Sequence, residues 1–147
     1  MIDYRKKATA LQFIKYALVG VLNTLVTLST IFLCKSVIGI NPLVSNAIGY
    51  VAGVINSFLW NKTWVFRSHD SYLREALIFL VGFILCYGIQ FLTVWVLSYK
   101  SPLNDFEWNI LGFVLSGYGL ATLVGNLVYT IANYIYNRLV TFRRGTL

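Results

Sequence analysis

The sequence predicts an all-α membrane protein: four transmembrane helices in a parallel two-plus-two internal repeat, with both termini cytoplasmic. Three observations carry this reading. Hydrophobic residues make up 58% of the 147 and charged residues only 12%, whereas a soluble domain carries about 25% charged residues. Mean hydropathy is +0.70, so lipid is the natural solvent for the chain. The basic residues cluster between long apolar stretches, as topology signals do.

Residues 2–12 form a polar, basic lead-in. A first helix is predicted over 13–38, interrupted only by Lys15, which is close enough to the end to snorkel. It is too long for a signal-peptide core and lacks a small-residue cleavage site, so it is expected to remain as a helix. Gly39, Ile40, Asn41 and Pro42 make a turn, with Pro42 suited to the first turn of the next helix. The second helix is predicted over 43–60 and the third over 76–99, with the polar connection Arg67 to Ser71 between them. A loop from Lys100 to Glu107 comes next and holds the clustered acids Asp105 and Glu107. The stretch from Trp108 to Tyr136 is longer than the roughly 20 residues a span needs. The fourth helix is therefore placed over 120–136, and 108–119 reads as a re-entrant or interfacial segment.

Orientation follows from charge. An even number of spans puts both ends and the middle connection on one side. Of the twelve Lys and Arg residues, that side holds all but Lys35 and Lys100, which makes it cytoplasmic. The net charge of +7 is thus explained without nucleic acid, whose binders present a basic face on a soluble fold. Aromatics fall where interfacial belts are expected: Trp60, Trp64, Phe66, Tyr134 and Phe142 on the cytoplasmic side, and Tyr99, Phe106 and Trp108 on the other.

A short motif repeats. Asn61-Lys62-Thr63-Trp64-Val65-Phe66-Arg67 and Asn137-Arg138-Leu139-Val140-Thr141-Phe142-Arg143 both fit N-[KR]-x-x-x-F-R, each directly after an even-numbered helix. Leu-Val-Gly also recurs in the first and third helices, at Leu18 to Gly20 and Leu80 to Gly82. Topology alone needs charge, not a fixed Asn and Phe. Lys62, Arg67, Arg138 and Arg143 are therefore candidate phosphate ligands near the membrane surface, set against a plain attraction to anionic lipid.

Polar residues line one face of each helix. Asn126, Thr130, Asn133 and Asn137 fall within an arc of about 60° at 100° per residue. Asn46, Gly49, Gly53, Asn56 and Ser57 share a side of the second helix, Gly20, Asn23, Thr24 and Thr27 of the first, and Gly82, Cys86, Gln90 and Thr93 of the third. Such residues commonly join membrane helices. They also suit a polar groove for a hydrophilic headgroup, with Asn23, Asn56, Asn61, Gln90, Asn126, Asn133 and Asn137 as its candidate lining.

No Asp, Glu or Lys lies deep in a predicted span, which argues against an ion-coupled exporter built on a buried carboxylate. His69 stands alone in a polar connection, and Cys34 and Cys86 have no metal or redox spacing. No catalytic residues, metal ligands or cofactor are expected.

The segments Phe13 to Thr24, Phe58 to Arg67 and Asn133 to Phe142 together resemble the GtrA-like family of four-helix bacterial membrane proteins. The Asn-basic-x-Trp-Val-Phe element is the most specific match. The second copy departs from it, with Val140 and Thr141 in place of the Trp-Val pair. The resemblance implies residence in the bacterial cytoplasmic membrane and a role in cell-surface polysaccharide synthesis. It implies translocation of a polyprenyl-phosphate-linked sugar, for use by a separate membrane glycosyltransferase on O-antigen, teichoic acid or a similar polymer. The alternative is a non-transporting partner that recruits or stabilises such a glycosyltransferase. Four short helices enclose little volume, so a homo-oligomer among membrane lipids is expected.

Overall fold

A computed structural model describes residues 2–99, 107–110 and 113–143 of the chain. The expected polar loop at 100–106, including Lys100, Asp105 and Phe106, lies outside the described residues, as does Arg144. So do the side chains of 2–7, 108–110 and 113–115. The described residues form α1 (Ile2–Phe32), α2 (Pro42–Trp60), α3 (Tyr72–Tyr99), β1 (Glu107–Ile110), β2 (Phe113–Ser116) and α4 (Gly117–Tyr136). Five-residue π-helical segments extend α1 (Leu33–Val37), α2 (Asn61–Val65) and α4 (Asn137–Thr141).

Three helical segments are long and apolar enough to cross a membrane: Ala8–Val37, Pro42–Val65 and Tyr72–Tyr99. Large apolar side chains such as Leu25, Leu43, Ile84 and Phe91 are more than half exposed on them. This is the surface expected of helices solvated by lipid rather than water. The molecule is a membrane protein. α4 has 20 residues, and its amides, threonines and tyrosines leave it outside this set of three.

Local chemistry explains the helix boundaries. The Asn41 side chain caps α2 by accepting from the Leu43 N–H at 2.9 Å, with Pro42 at the first helical position. The α1 extension ends with Gly39 in the left-handed region (φ 79°). There the Ile40 N–H reaches back to the Cys34 carbonyl at 2.9 Å. Ser116 caps α4 by accepting from the Gly119 N–H at 3.2 Å. Ahead of it, β1 and β2 pair antiparallel, with Glu107 opposite Ser116 and Ile110 opposite Phe113. This hairpin occupies most of the segment expected to be re-entrant or interfacial, and it is a local departure from an all-α chain. Its Trp, Ile, Phe and Val residues favour a pleated backbone over a helix.

The chain divides into two compact units, residues 1–72 with 142–147, and residues 73–141. In the first, α1 packs along α2 through Gly49 and Gly53. A Cβ at Gly49 would collide with Ile31 Cγ1 and come within 3.0 Å of the Thr27 carbonyl oxygen, and one at Gly53 would collide with Thr27 Oγ1. In the second unit α3 meets α4 at Gly125, where a Cβ would lie 2.6 Å from Val94 Cγ2. Small residues let the helix backbones approach, which is how dispersion holds helices together when lipid offers no hydrophobic drive.

Candidate functional site

From the asparagine through the fifth residue both motif copies adopt the same π-helical backbone, Asn61–Val65 and Asn137–Thr141; they part at the last residue, where Arg67 is left-handed and Arg143 is not. Each begins at the junction where an α-helix widens into a π-helix, a distortion found often at functional sites. The Asn61 N–H is shared between the carbonyls of Ser57 and Phe58, and the Asn137 N–H between those of Asn133 and Tyr134. The side chains repeat the pattern. Asn61 Nδ2 donates to the Ser57 carbonyl at 2.8 Å and to Ser57 Oγ at 3.3 Å. Asn137 Nδ2 donates to Asn133 Oδ1 at 3.2 Å. Both asparagines are sealed from solvent, at 1% and 0% exposure, and neither Oδ1 has a hydrogen-bond donor among the described residues.

The first copy sits in the first unit and is closed by its surroundings. The Phe66 N–H bonds the Asn61 carbonyl and the Ser68 N–H the Lys62 carbonyl, both at 2.9 Å. Gln12 Nε2 donates to the Val65 carbonyl at 3.3 Å, satisfying an oxygen that the end of a helix leaves open. Lys62 is 1% exposed. Its ammonium donates to the Asp70 carbonyl at 2.6 Å and lies 4.4 Å from the Tyr72 ring centroid. A cation held this way is compensated by a carbonyl dipole and by the ring's quadrupole. Arg67 is the opposite case: it is exposed and has φ 50°, the one non-glycine residue at positive φ among those described. Phe66 and Phe142, both in this unit, stack at 5.0 Å with an 18° angle, and Tyr16 meets Phe66 edge-on at 6.3 Å. Trp60 and Trp64 pack edge to face at 5.9 Å, with Lys15 Nζ 5.4 Å from the Trp64 ring centroid.

The second copy, through Thr141, belongs to the second unit. Arg138 is only partly buried, and its Nη1 donates to Tyr134 Oη at 3.1 Å. Asn133 Nδ2 donates to Tyr129 Oη at 3.2 Å. Arg143, just past the π-helical segment, is exposed.

The candidate groove residues sort into two groups. Asn56 Nδ2 donates to Asn23 Oδ1 at 2.7 Å within the first unit, and Gln90 Nε2 to Asn126 Oδ1 at 2.7 Å within the second. Each is a helix-to-helix amide bond, contributing about 1 kcal/mol in lipid. Asn61, Asn133 and Asn137 belong instead to the buried motif ends. Several residues escaped the sequence reading. Gln12, Asp70 and Tyr72 build the surroundings of Lys62, and Tyr134 orients Arg138. Glu75 is 2% exposed in the first turn of α3, where a helix N-terminus favours a carboxylate. No motif pointed to these residues, because their role depends on contacts rather than spacing.

Comparisons with known proteins identify the family. The family model for the GtrA/DPMS transmembrane domain matches residues 15–142. The chain is 29% identical over 132 residues to the cell wall teichoic acid glycosylation protein GtcA of Listeria innocua, covering 87% of this chain and 82% of that one. It is 29% identical over 135 residues to the membrane protein YngA of Bacillus subtilis, covering 87% and 77%. GtcA of Listeria monocytogenes is 27% identical over 129 residues, covering 87% and 82%. With nearly its whole length matched by the family model, from Lys15 in α1 to Phe142 of the second motif copy, the chain belongs to the GtrA/DPMS transmembrane domain family.

Proposed function

We propose that this protein moves a polyprenyl-phosphate-linked sugar across the bacterial cytoplasmic membrane for glycosylation of a cell-surface polymer, of which teichoic acid is the leading candidate. The polymer is suggested by the GtcA relatives, which are teichoic acid glycosylation proteins by name. The four α-helices act as four spans with both termini cytoplasmic, and the two units act as copies of one duplicated hairpin. Support for duplication comes from the shared π-helical motif ends. It also comes from Gly49 and Gly125, each twelve residues ahead of its motif asparagine and each at a close helix approach.

The observation that carries the phosphate role is the backbone of Arg67. The same π-helical ending occurs after α1, where the left-handed position is Gly39. Glycine takes that conformation without strain, whereas a side chain there costs on the order of 1 kcal/mol. An exposed arginine in a glycine's position is retained for its guanidinium, a fork that matches phosphate oxygens. Each motif copy engages phosphate through its own arginines, Arg67 in the first and Arg138 and Arg143 in the second. Lys62 serves the first copy by fixing the connection between Arg67 and α3. Arg67→Gly and Arg138→Ala should each abolish sugar decoration of the surface polymer at unchanged protein level. Normal decoration in both would refute the phosphate role.

A second reading is favoured by one observation. The Asn23–Asn56 and Gln90–Asn126 bonds tie the two helices of each hairpin to each other. A protein so tied could recruit or stabilise a membrane glycosyltransferase without moving lipid.

A further inference from the structure

Six threonines among the described residues satisfy themselves. Thr24, Thr30, Thr63, Thr93, Thr122 and Thr130 each donate to the carbonyl four residues back in their own helix, the usual fate of a hydroxyl on an apolar helix. Thr141 does not. It is 4% exposed, and its Oγ1 has no hydrogen-bond partner among the described residues. One turn earlier in the same π-helical segment, Asn137 Oδ1 is also unpartnered and fully buried. Burying a polar group without a partner is costly, so two in one turn call for an occupant.

The occupant's chemistry can be read from what is open. The Asn137 amide donates toward Asn133, and Asn133 donates in turn to Tyr129 Oη. Donors in this series therefore point back along α4, and the acceptor of Asn137 is left at the motif end. A bare carbonyl oxygen selects a neutral O–H or N–H donor and repels a phosphate oxygen. The adjacent residue, Arg138, supplies the positive charge. The first copy lacks this combination, because the position matching Thr141 is Val65.

The structure assigns Asn137 Oδ1 and Thr141 Oγ1 as a docking point for a hydroxyl of a polyol-phosphate headgroup, beside the guanidinium that takes its phosphate. The assignment rests on the proposed transport of such a lipid and adds to it how the sugar is told from bare polyprenyl phosphate. Discrimination is placed in the second motif copy alone.

The test uses the full-length protein in nanodiscs, with polyprenyl-phosphate glucose and bare polyprenyl phosphate as probes and affinity read by native mass spectrometry. Thr141→Val copies the first motif and keeps the side chain's shape, so it should fold. It is expected to weaken glucose-bearing lipid about tenfold, the size of one lost hydrogen bond, and to leave bare lipid unchanged. Thr141→Ser should bind both as the unmodified protein does. Equal weakening of both lipids by Thr141→Val, or no change in either, as a merely trapped water would give, overturns the assignment. If the unmodified protein binds neither lipid, the transport reading fails first and the docking point falls with it. Free glucose 1-phosphate competing as well as the lipid would keep the docking pair and give it a soluble ligand; no competition supports the lipid source.

Discussion

After α2, Lys62 is turned inward, its ammonium on the Asp70 carbonyl and against the Tyr72 ring. After α4, the equivalent Arg138 is half-buried and rests on Tyr134 Oη one turn back. The backbones are alike, each with a buried asparagine at the step from α- to π-helix. The difference lies in the partners of each basic residue. The first copy runs into a folded connection, in which the Asp70 N–H meets Ser68 Oγ at 3.4 Å and the Ser71 N–H meets Asp70 Oδ1 at 2.8 Å. A buried lysine can hold that connection by its carbonyl. The second copy carries a threonine hydroxyl where the first has Val65. The comparison teaches that a repeated basic position need not repeat a role: one cation holds a folded connection, and the other rests half-buried on a tyrosine hydroxyl.

The largest expected effect that would break this contrast is Lys62→Ala. It removes the charge from a packed site and leaves the Asp70 carbonyl without its donor, so a loss of about 3 kcal/mol is expected. Arg138→Ala should cost about 1 kcal/mol or less. Thermal unfolding in detergent reads both, and equal losses would erase the asymmetry.

Next in size are the glycines. Gly49→Ala and Gly125→Ala should each destabilise by about 1–3 kcal/mol through overpacking. The first is expected to be the worse, because a backbone carbonyl as well as a side chain stands in the way. A harmless Gly49→Ala would contradict the close approach of α1 and α2.

Arg67→Gly sharpens the comparison in the opposite direction. Relief of the left-handed strain should leave stability unchanged or raise it by up to about 1 kcal/mol, while function is lost. The smallest effects belong to the amide pairs. Double-mutant cycles with alanine at Asn23 and Asn56, and at Gln90 and Asn126, should each return a coupling of about 1 kcal/mol. Coupling near zero in either pair would mean that its hydrogen bond does not join the helices.

Much of this was legible in the sequence because lipid imposes simple rules. Long apolar stretches became helices, Pro42 opened α2 behind Asn41, and Gly39 closed the preceding segment. The repeated motif announced itself by an Asn and a Phe that topology does not require. What stayed hidden depends on packing. The π-helical widening at Asn61 and Asn137 has no spacing signature. Lys62 reads as a surface cation until Asp70 and Tyr72 are seen around it. Glu107 read as the end of a polar loop and 108–119 as a re-entrant or interfacial segment, because composition alone does not separate a short strand from other apolar structure. Asn23, Asn56, Gln90 and Asn126 looked like groove residues because an amide that joins helices and one that lines a path are the same letter.

The central claim is that the motif arginines carry a lipid phosphate during translocation. Purified protein reconstituted into liposomes with labelled polyprenyl-phosphate sugar tests it most directly. The unmodified protein should accelerate exposure of the sugar in the opposite leaflet, and Arg67→Gly, folded and stable, should not. No acceleration by the unmodified protein without a glycosyltransferase, or full acceleration by Arg67→Gly, would contradict the account.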